Sequence, residues 1–380
     1  MAAARCLTVS AAIGPGISVG RRCRSDRSAQ IIMGKSSCMT IELNQKNKQL
    51  VWDFWQHLEI ASADQLVQIA NKSLDSNISW HGPDPINELH GVQSFVSEFW
   101  LPLQRSFRDL KRQTHIYFGG QSSGRIDGRN DGNMWVTGTG YLNGIFVEDY
   151  LSIPANNKEV SIRWGEFCRL EEGRITEIFF LLDLVDLIQQ AGFNVLPPSR
   201  GADGVYPPPR TNDGILLEAQ SEKESQYSLD HIRRFIFDGL NRFDQSDLKS
   251  MGMADFFHPD VQWYGPGGIG ACLSFREFET LHQKPWLHAF PDRSVQNLDA
   301  LFAEGSYSAA PGWAGVKATH AGEYLDHAAS GNAVEINGID WWKRDGEVYI
   351  ENWVFVDMIH LFRQLGVDLF ERLAQQSGST

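Results

Sequence analysis

With 380 residues, 42% of them hydrophobic and 11% aromatic, the chain has the apolar content for two or three packed domains, and its apolar runs are too short for a membrane span of about 20 residues. A formal net charge of −13 argues against nucleic acid as a partner, because phosphate binding needs a basic face that displaces counterions. Five cysteines, three of them within the first forty residues, make neither a disulfide framework nor a metal-type spacing, so a soluble cytoplasmic protein with no metal is expected.

Residues 1–40 carry Arg5, Arg21, Arg22, Arg24, Arg27 and Lys35 against one acid, Asp26. The stretch reads as a disordered or targeting-like extension, which would place the protein in an organelle, or as a segment upstream of a start at Met33 or Met39. Globular pattern begins after it. Val51, Phe54, Trp55 and Leu58 recur at helical spacing, and Ser62 with Gln65 makes a capping box for a second helix through Leu66, Ile69 and Ala70. Ile78–Trp80 is a short strand running into His81-Gly82-Pro83, and Val92, Phe95, Val96, Phe99 and Leu103 mark a third helix. From about Arg112 to Asp183 the pattern is strand-like, with segments His115–Gly119, Asn133–Tyr141, Ile145–Ile153, Glu159–Leu170 and Ile175–Asp183. Helices first, then a run of antiparallel strands, then a closing helix is α+β order rather than alternating α/β.

Residues 194–227 hold five prolines and three glycines ahead of a charged run, an extended linker that nucleates no core. Beyond it the pattern returns. Trp80, Gly82, Pro83, Ile86, Phe95, Pro102, Phe107 and Asp109 meet Trp263, Gly265, Pro266, Ile269, Phe278, Pro285, Phe290 and Asp292 at one register without a gap. Later, Glu177, Asp183, Leu187 and Gln190 fall on Glu351, Asp357, Leu361 and Gln364 at a constant offset of 174 residues (Asp183 to Asp357). The chain therefore reads as two copies of one domain, 46–193 and 228–373, the first carrying nine extra residues in its early strands, which is the difference between offsets of 183 and 174.

The chemistry is expected where Val348–Val356 gives way to a helix. Tyr349, Glu351, Trp353, Phe355 and Asp357 share one side of a period-two pattern, Val348, Ile350, Asn352, Val354 and Val356 the other, and both sides are largely apolar. An Asp357 facing a cavity walled by Trp353 and Phe355 would be desolvated and poised to exchange protons near neutral pH, and Asp183 repeats it in the first copy. An Asp directly before a helix is equally a favoured N-cap, and the local pattern leaves both roles open. Glu351 is too far along the strand to pair with Asp357, so partners are sought in Asp340, His320, Trp263 and Tyr264, with Trp80 and His81 as the first copy's wall. His320, Glu323 and His327 do not make a metal site, because strand alternation puts His320 on the opposite face. No phosphate-binding glycine loop and no nucleophile elbow is present, so no cofactor is expected.

These segments resemble SnoaL-like polyketide cyclases of the nuclear-transport-factor-two-like superfamily. The resemblance is carried by His258-Pro-Asp-Val-Gln-Trp-Tyr-Gly-Pro266, Thr319-His-Ala-Gly-Glu-Tyr324, Asp340-Trp-Trp-Lys-Arg-Asp-Gly346 and Glu351-Asn-Trp353 through Asp357 to Gln364-Leu-Gly366. It covers nearly all of 228–373 and, more weakly, 46–193. It implies a cone-shaped α+β barrel, three helices against a curved antiparallel sheet around an apolar pocket. It further implies a cofactor-free intramolecular aldol cyclisation of an apolar carbonyl compound, with an Asp at the position of Asp357 as general acid/base. Sheets of this family pair back to back, which fits the apolar second face and implies an internal pseudo-dimer, compatible with a homo-oligomer. A non-catalytic binding or scaffold protein on the same fold is the alternative. Phe179 for Trp353 and Ile145-Phe146 for Thr319-His320 point to the second copy as the functional one.

Overall fold

The computed structural model describes residues 26–378, with side chains from Thr40 onward. The chain divides into Met1–Glu42 and Leu43–Thr380. Of the first unit only the opening of helix α1 (Asp26–Ile60) is described, so the expectation for residues 1–25 lies outside the described residues, and 26–40 are helical. No helix among the described residues is long and apolar enough to cross a membrane.

In the second unit α1 buries Val51, Phe54, Trp55 and Leu58. Helix α2 (Leu66–Ser73) leads into β1 (Leu74–His81) and β2 (Glu88–His90), and a helical run, α3 (91–106), follows with a π-helical stretch at Phe95–Trp100. Four long strands come next: β3 (Phe107–Gln121), β4 (Met134–Phe146), β5 (Glu159–Glu171) and β6 (Arg174–Leu182), closed by α4 (Leu184–Gln190). The strand expected at Ile145–Ile153 is not formed: β4 absorbs Ile145 and Phe146, and the chain then loops to β5.

The C-terminal half begins with α5 (222–239) and α6 (Met253–Phe256), then β7 (Phe257–Tyr264), β8 (Ala271–Cys272) and α7 (275–289). Its remaining strands are β9 (Ser294–Val295), β10 (Phe302–Glu304), β11 (Tyr307–Thr319), β12 (Ala333–Asp345) and β13 (Val348–Val356), followed by α8 (Met358–Gln364) and α9 (Leu369–Ser377).

Both sheets have one strand order. The first runs β2-β1-β6-β5-β4-β3 and the second β8-β7-β13-β12-β11-β10, with β9 beside β11. In each, the strand ahead of the helical run lies parallel to the last long strand, β1 to β6 and β7 to β13, so the sheets are mixed rather than antiparallel. The intervening helices supply the crossover that parallel pairing needs, and no local periodicity reports it. The pairing ends at β2 and β3 in one sheet and at β8 and β10 in the other.

The sheets face one another through a second apolar core. Phe118, Trp135, Phe167, Phe179 and Leu181 from one meet Phe302, Tyr307, Ile339, Trp341, Trp353 and Phe355 from the other, all essentially inaccessible to solvent. Phe167 stacks on Trp341 with centroids 5.1 Å apart, and the Trp341 indole N–H donates to Thr137 Oγ1 at 3.0 Å. The connecting segment is drawn into this layer: Tyr206 is buried against Phe355, and Trp353 Nε1 donates to the Pro207 carbonyl at 2.8 Å. Gly165 lets Trp341 approach, since a Cβ there would lie 2.4 Å from its ring. Gly165→Val is therefore expected to cost about 1–3 kcal/mol by overpacking, read as a lower urea midpoint. An unchanged midpoint would mean the sheets separate without cost.

Candidate functional site

Strands β12 and β13 pair with Gly338 opposite Val356, Asp340 opposite Val354 and Trp342 opposite Asn352. Strand alternation puts these six side-chain positions on one face, and all of them line a cavity of about 200 Å³ between the sheet and α5, β7 and α7. The opposite face, with Ile339, Trp341, Trp353 and Phe355, packs on the other sheet. This inverts the sequence expectation, which put Trp353 and Phe355 on the cavity and Val354 and Val356 between the domains. Both faces are apolar, so period-two alternation separates them but does not say which one meets the partner. Of the two aromatics only Phe355 also borders the cavity.

The same register recurs in the first sheet, where Trp164 lies opposite Leu182, Glu166 opposite Phe180 and Cys168 opposite Ile178. Gly338, Asn352, Val354 and Val356 are thus replaced by Trp164, Ile178, Phe180 and Leu182, and these larger side chains are fully buried in the N-terminal core. Glu166, at the place of Asp340, is spent: Arg112 Nη1 lies 2.9 Å from one of its oxygens, and the Trp55 indole N–H donates to the other at 2.9 Å. The Arg112 guanidinium itself sits over the Trp55 and Trp164 rings at 4.4 and 4.1 Å.

In the C-terminal cavity Asp340 has no cationic partner among the described residues. Burial pushes its carboxyl up to about 8, opposed only by a hydrogen bond from the Asn352 side chain. Asp340 is half-buried and is one of the residues that line the cavity. Asn352 is fixed by donating to the Trp341 carbonyl at 2.9 Å. His282 stacks on Trp263 at 4.1 Å and is held neutral, its pKa lowered to about 3 by burial and then by the nearby Arg293. Two further polar atoms of lining residues, Gln283 Oε1 and Trp342 Nε1, are buried with no hydrogen-bond partner. An apolar hollow with a carboxyl on its floor that has no ion-pair partner can hold a carbonyl compound and move a proton on it.

Asp357 is buried but is not part of the cavity lining. Its Oδ1 accepts the His360 N–H at 3.0 Å, capping α8, and its Oδ2 accepts the Asp84 N–H of the N-terminal half at 2.9 Å. Arg363 in turn grips the Asp84 carboxylate at 2.9 Å. Burial pushes the Asp357 carboxyl up to about 7 against these N–H donors. Asp183 is the mirror of this arrangement. It caps α4 through the Asp186 N–H at 3.0 Å and accepts the Gly267 N–H of the C-terminal half at 2.8 Å, with Arg163 at 3.2 Å. Each half's aspartate therefore pins the turn after the other half's first strand.

The remaining expected site residues scatter. Trp263 and Asp340 line the cavity. Tyr264 lies in the layer between the sheets, its hydroxyl 3.3 Å from Glu351. His320 is fully buried beyond β11, with Nδ1 accepting from the Ser330 N–H at 3.1 Å. Trp80 is packed in the N-terminal core against Phe99, and His81 pairs with Glu177 at 3.2 Å. Sequence reasoning missed Arg293, His282, Gln283 and Asn352. For Asn352 a signal existed, a lone amide inside an apolar strand, whereas Arg293 stands in an ordinary turn sequence that offered none.

A mixed sheet of this order, covered on one face by short helices that enclose a hollow, defines a domain of the nuclear-transport-factor-two-like class. Residues 232–365 match the model of the SnoaL-like polyketide cyclase family. Comparison with curated proteins gives no match. Among solved structures, a candidate SnoaL-like polyketide cyclase from Jannaschia Sp. CCS1 is 13% identical with a TM-score of 0.34, covering 40% of this chain and 98% of that one. AclR, a candidate hydroxylase from Streptomyces galilaeus, is 22% identical with a TM-score of 0.31, covering 37% and 97%. IdmH, a candidate polyketide cyclase from Streptomyces antibioticus, is 19% identical with a TM-score of 0.29, covering 37% and 99%.

Proposed function

We propose that the C-terminal half binds an apolar carbonyl compound and performs acid/base chemistry on it, with Asp340 rather than Asp357 exchanging the proton. One observation carries this reading: Asp340 is a lone, desolvated carboxyl on the floor of an apolar cavity, with its pKa moved to about 8, within reach of neutral pH. In an aldol-type cyclisation the Asp340 carboxylate takes a proton from carbon beside a carbonyl. The resulting enolate carbon bonds to a second carbonyl carbon, and the alkoxide takes the proton back. No group leaves. The enolate oxygen needs a donor, and Trp342 and Asn352, whose side chains carry N–H groups, share the face of Asp340.

The N-terminal half is, in this reading, a divergent copy from a tandem duplication, spanning about 46–193 against 228–373, that serves as structural partner. The larger side chains at Trp164, Ile178, Phe180 and Leu182 and the salt-bridged Glu166 support that role.

The test is deuterium uptake beside the carbonyl of α-tetralone, a bicyclic ketone too unreactive to exchange quickly by itself, followed by NMR in heavy water. Catalysed uptake is expected with the wild type. Val354→Phe, which installs the side chain found at Phe180, should fill the cavity and lower uptake at least tenfold while leaving the urea midpoint unchanged or raised. Uptake no faster than in buffer would remove the proposal.

A further inference from the structure

Arg293 follows α7, is about nine-tenths buried and is one of the residues that line the cavity. Its hydrogen bonds run from Nη2 to the Leu240 carbonyl at 3.3 Å and to Met251 Sδ at 3.0 Å, a weak acceptor. No carboxylate among the described residues forms an ion pair with it. Every other deeply buried cation of the C-terminal half has one: Lys343 meets Asp213 at 2.7 Å and Arg344 meets Glu224 at 2.5 Å. In the N-terminal half Lys48, Arg112 and Arg163 are likewise paired with Glu304, Glu166 and Asp183. Asp340 does not neutralise Arg293, since burial and Asn352 alone set its proton affinity.

A guanidinium buried without a counter-charge is strongly unfavourable unless something else supplies the charge. Burial lowers the Arg293 pKa only to about 10, so it stays a cation at neutral pH. The neighbouring His282 is held neutral and offers a ring nitrogen, not a charge.

We infer that the natural ligand of the C-terminal cavity is an anion, an apolar ring-bearing monocarboxylate whose carboxylate pairs with Arg293 while its carbonyl lies at Asp340. This rests on the cavity being a ligand site as proposed above, and it adds a second anchor at a different wall. A planar guanidinium suits a carboxylate through two parallel N–H···O bonds. Two anchors of different chemistry also fix which carbon of the ligand meets Asp340.

The experiment measures binding by calorimetry of naphthoate and of its uncharged methyl ester to the full chain at pH 7. Naphthoate is expected to bind at least tenfold more tightly, and Arg293→Met should erase or reverse that preference. Arg293→Met should also melt higher than the wild type without ligand, because it removes the unpaired charge. Equal or tighter binding of the ester by the wild type overturns the inference, and that comparison needs no variant to fold. If the ester binds as well as naphthoate while α-tetralone still takes up deuterium through Asp340, the acid/base reading stands and only the carboxylate requirement falls. If naphthoate binds through Arg293 but no ketone exchanges, the cavity is a carboxylate-binding site and the catalytic reading falls.

Discussion

Replacing Asp340 by Asn is expected to reduce deuterium uptake into α-tetralone by about 10²-fold or more, the usual contribution of a positioned acid/base group. In the wild type the rate should rise with pH and level off above about 8, where the carboxyl is ionised and able to accept a proton. Stability should move the other way. Because the folded-state pKa is raised above its ordinary value of 3.8, the folded protein holds its proton where the unfolded chain has lost it. Stability is therefore full below about pH 4 and declines as pH rises towards 8. Asp357, raised to about 7 for the same reason, adds to the decline over a similar range. At about 1.4 kcal/mol per pH unit, Asp340→Asn should be more stable than the wild type at pH 9 by an amount on the order of several kcal/mol. Urea titrations at pH 5 and pH 9 measure it. A flat difference between the two proteins across that range would mean that Asp340 is solvated.

The second large effect falls on Asp183. Asp183→Ala removes the acceptor for the Asp186 and Gly267 N–H groups and leaves the buried Arg163 with Asp186 as its one carboxylate beside the Gly265 carbonyl. A destabilisation of about 3–5 kcal/mol is expected, because a buried charge loses a partner as well as the helix its cap. Asp357→Ala strands two N–H donors, of His360 and Asp84, but no cation, and should cost less, about 2–4 kcal/mol. Asp357→Asn should keep ketone exchange within a few-fold of the wild type. Loss of exchange in Asp357→Asn together with its survival in Asp340→Asn would return the acid/base role to Asp357. A cost below 1 kcal/mol for Asp183→Ala would mean that the reciprocal pins do not hold the halves together.

The two roles that the local pattern left open for Asp357, cap and proton carrier, show what a single chain stretch carries and what it omits. The cap was legible because its partners lie within three residues, where the Asp side chain meets the His360 N–H. The cross-half bond to Asp84 was not, since it joins residues 273 positions apart. Asp340 was visible only as a possible partner, its neighbours being a strand and a helical run brought together by a parallel crossover that leaves no periodic trace.

By itself the sequence determined the α+β order, the recurrence of like residues at offsets of 183 (Trp80 to Trp263) and then 174 (Asp183 to Asp357), the resemblance of the later stretch to a cyclase family, and the faces on which residues of β13 alternate. These follow from local periodicity and from side chains that recur. Tertiary structure alone decided which apolar face of β13 meets the partner sheet and which meets the cavity. It also decided that Gly338 and Val354 leave space where Trp164 and Phe180 fill it, and that Arg293 forms no ion pair among the described residues. Those outcomes depend on volume and charge summed over segments far apart in the chain, and neither quantity is a property of any one stretch.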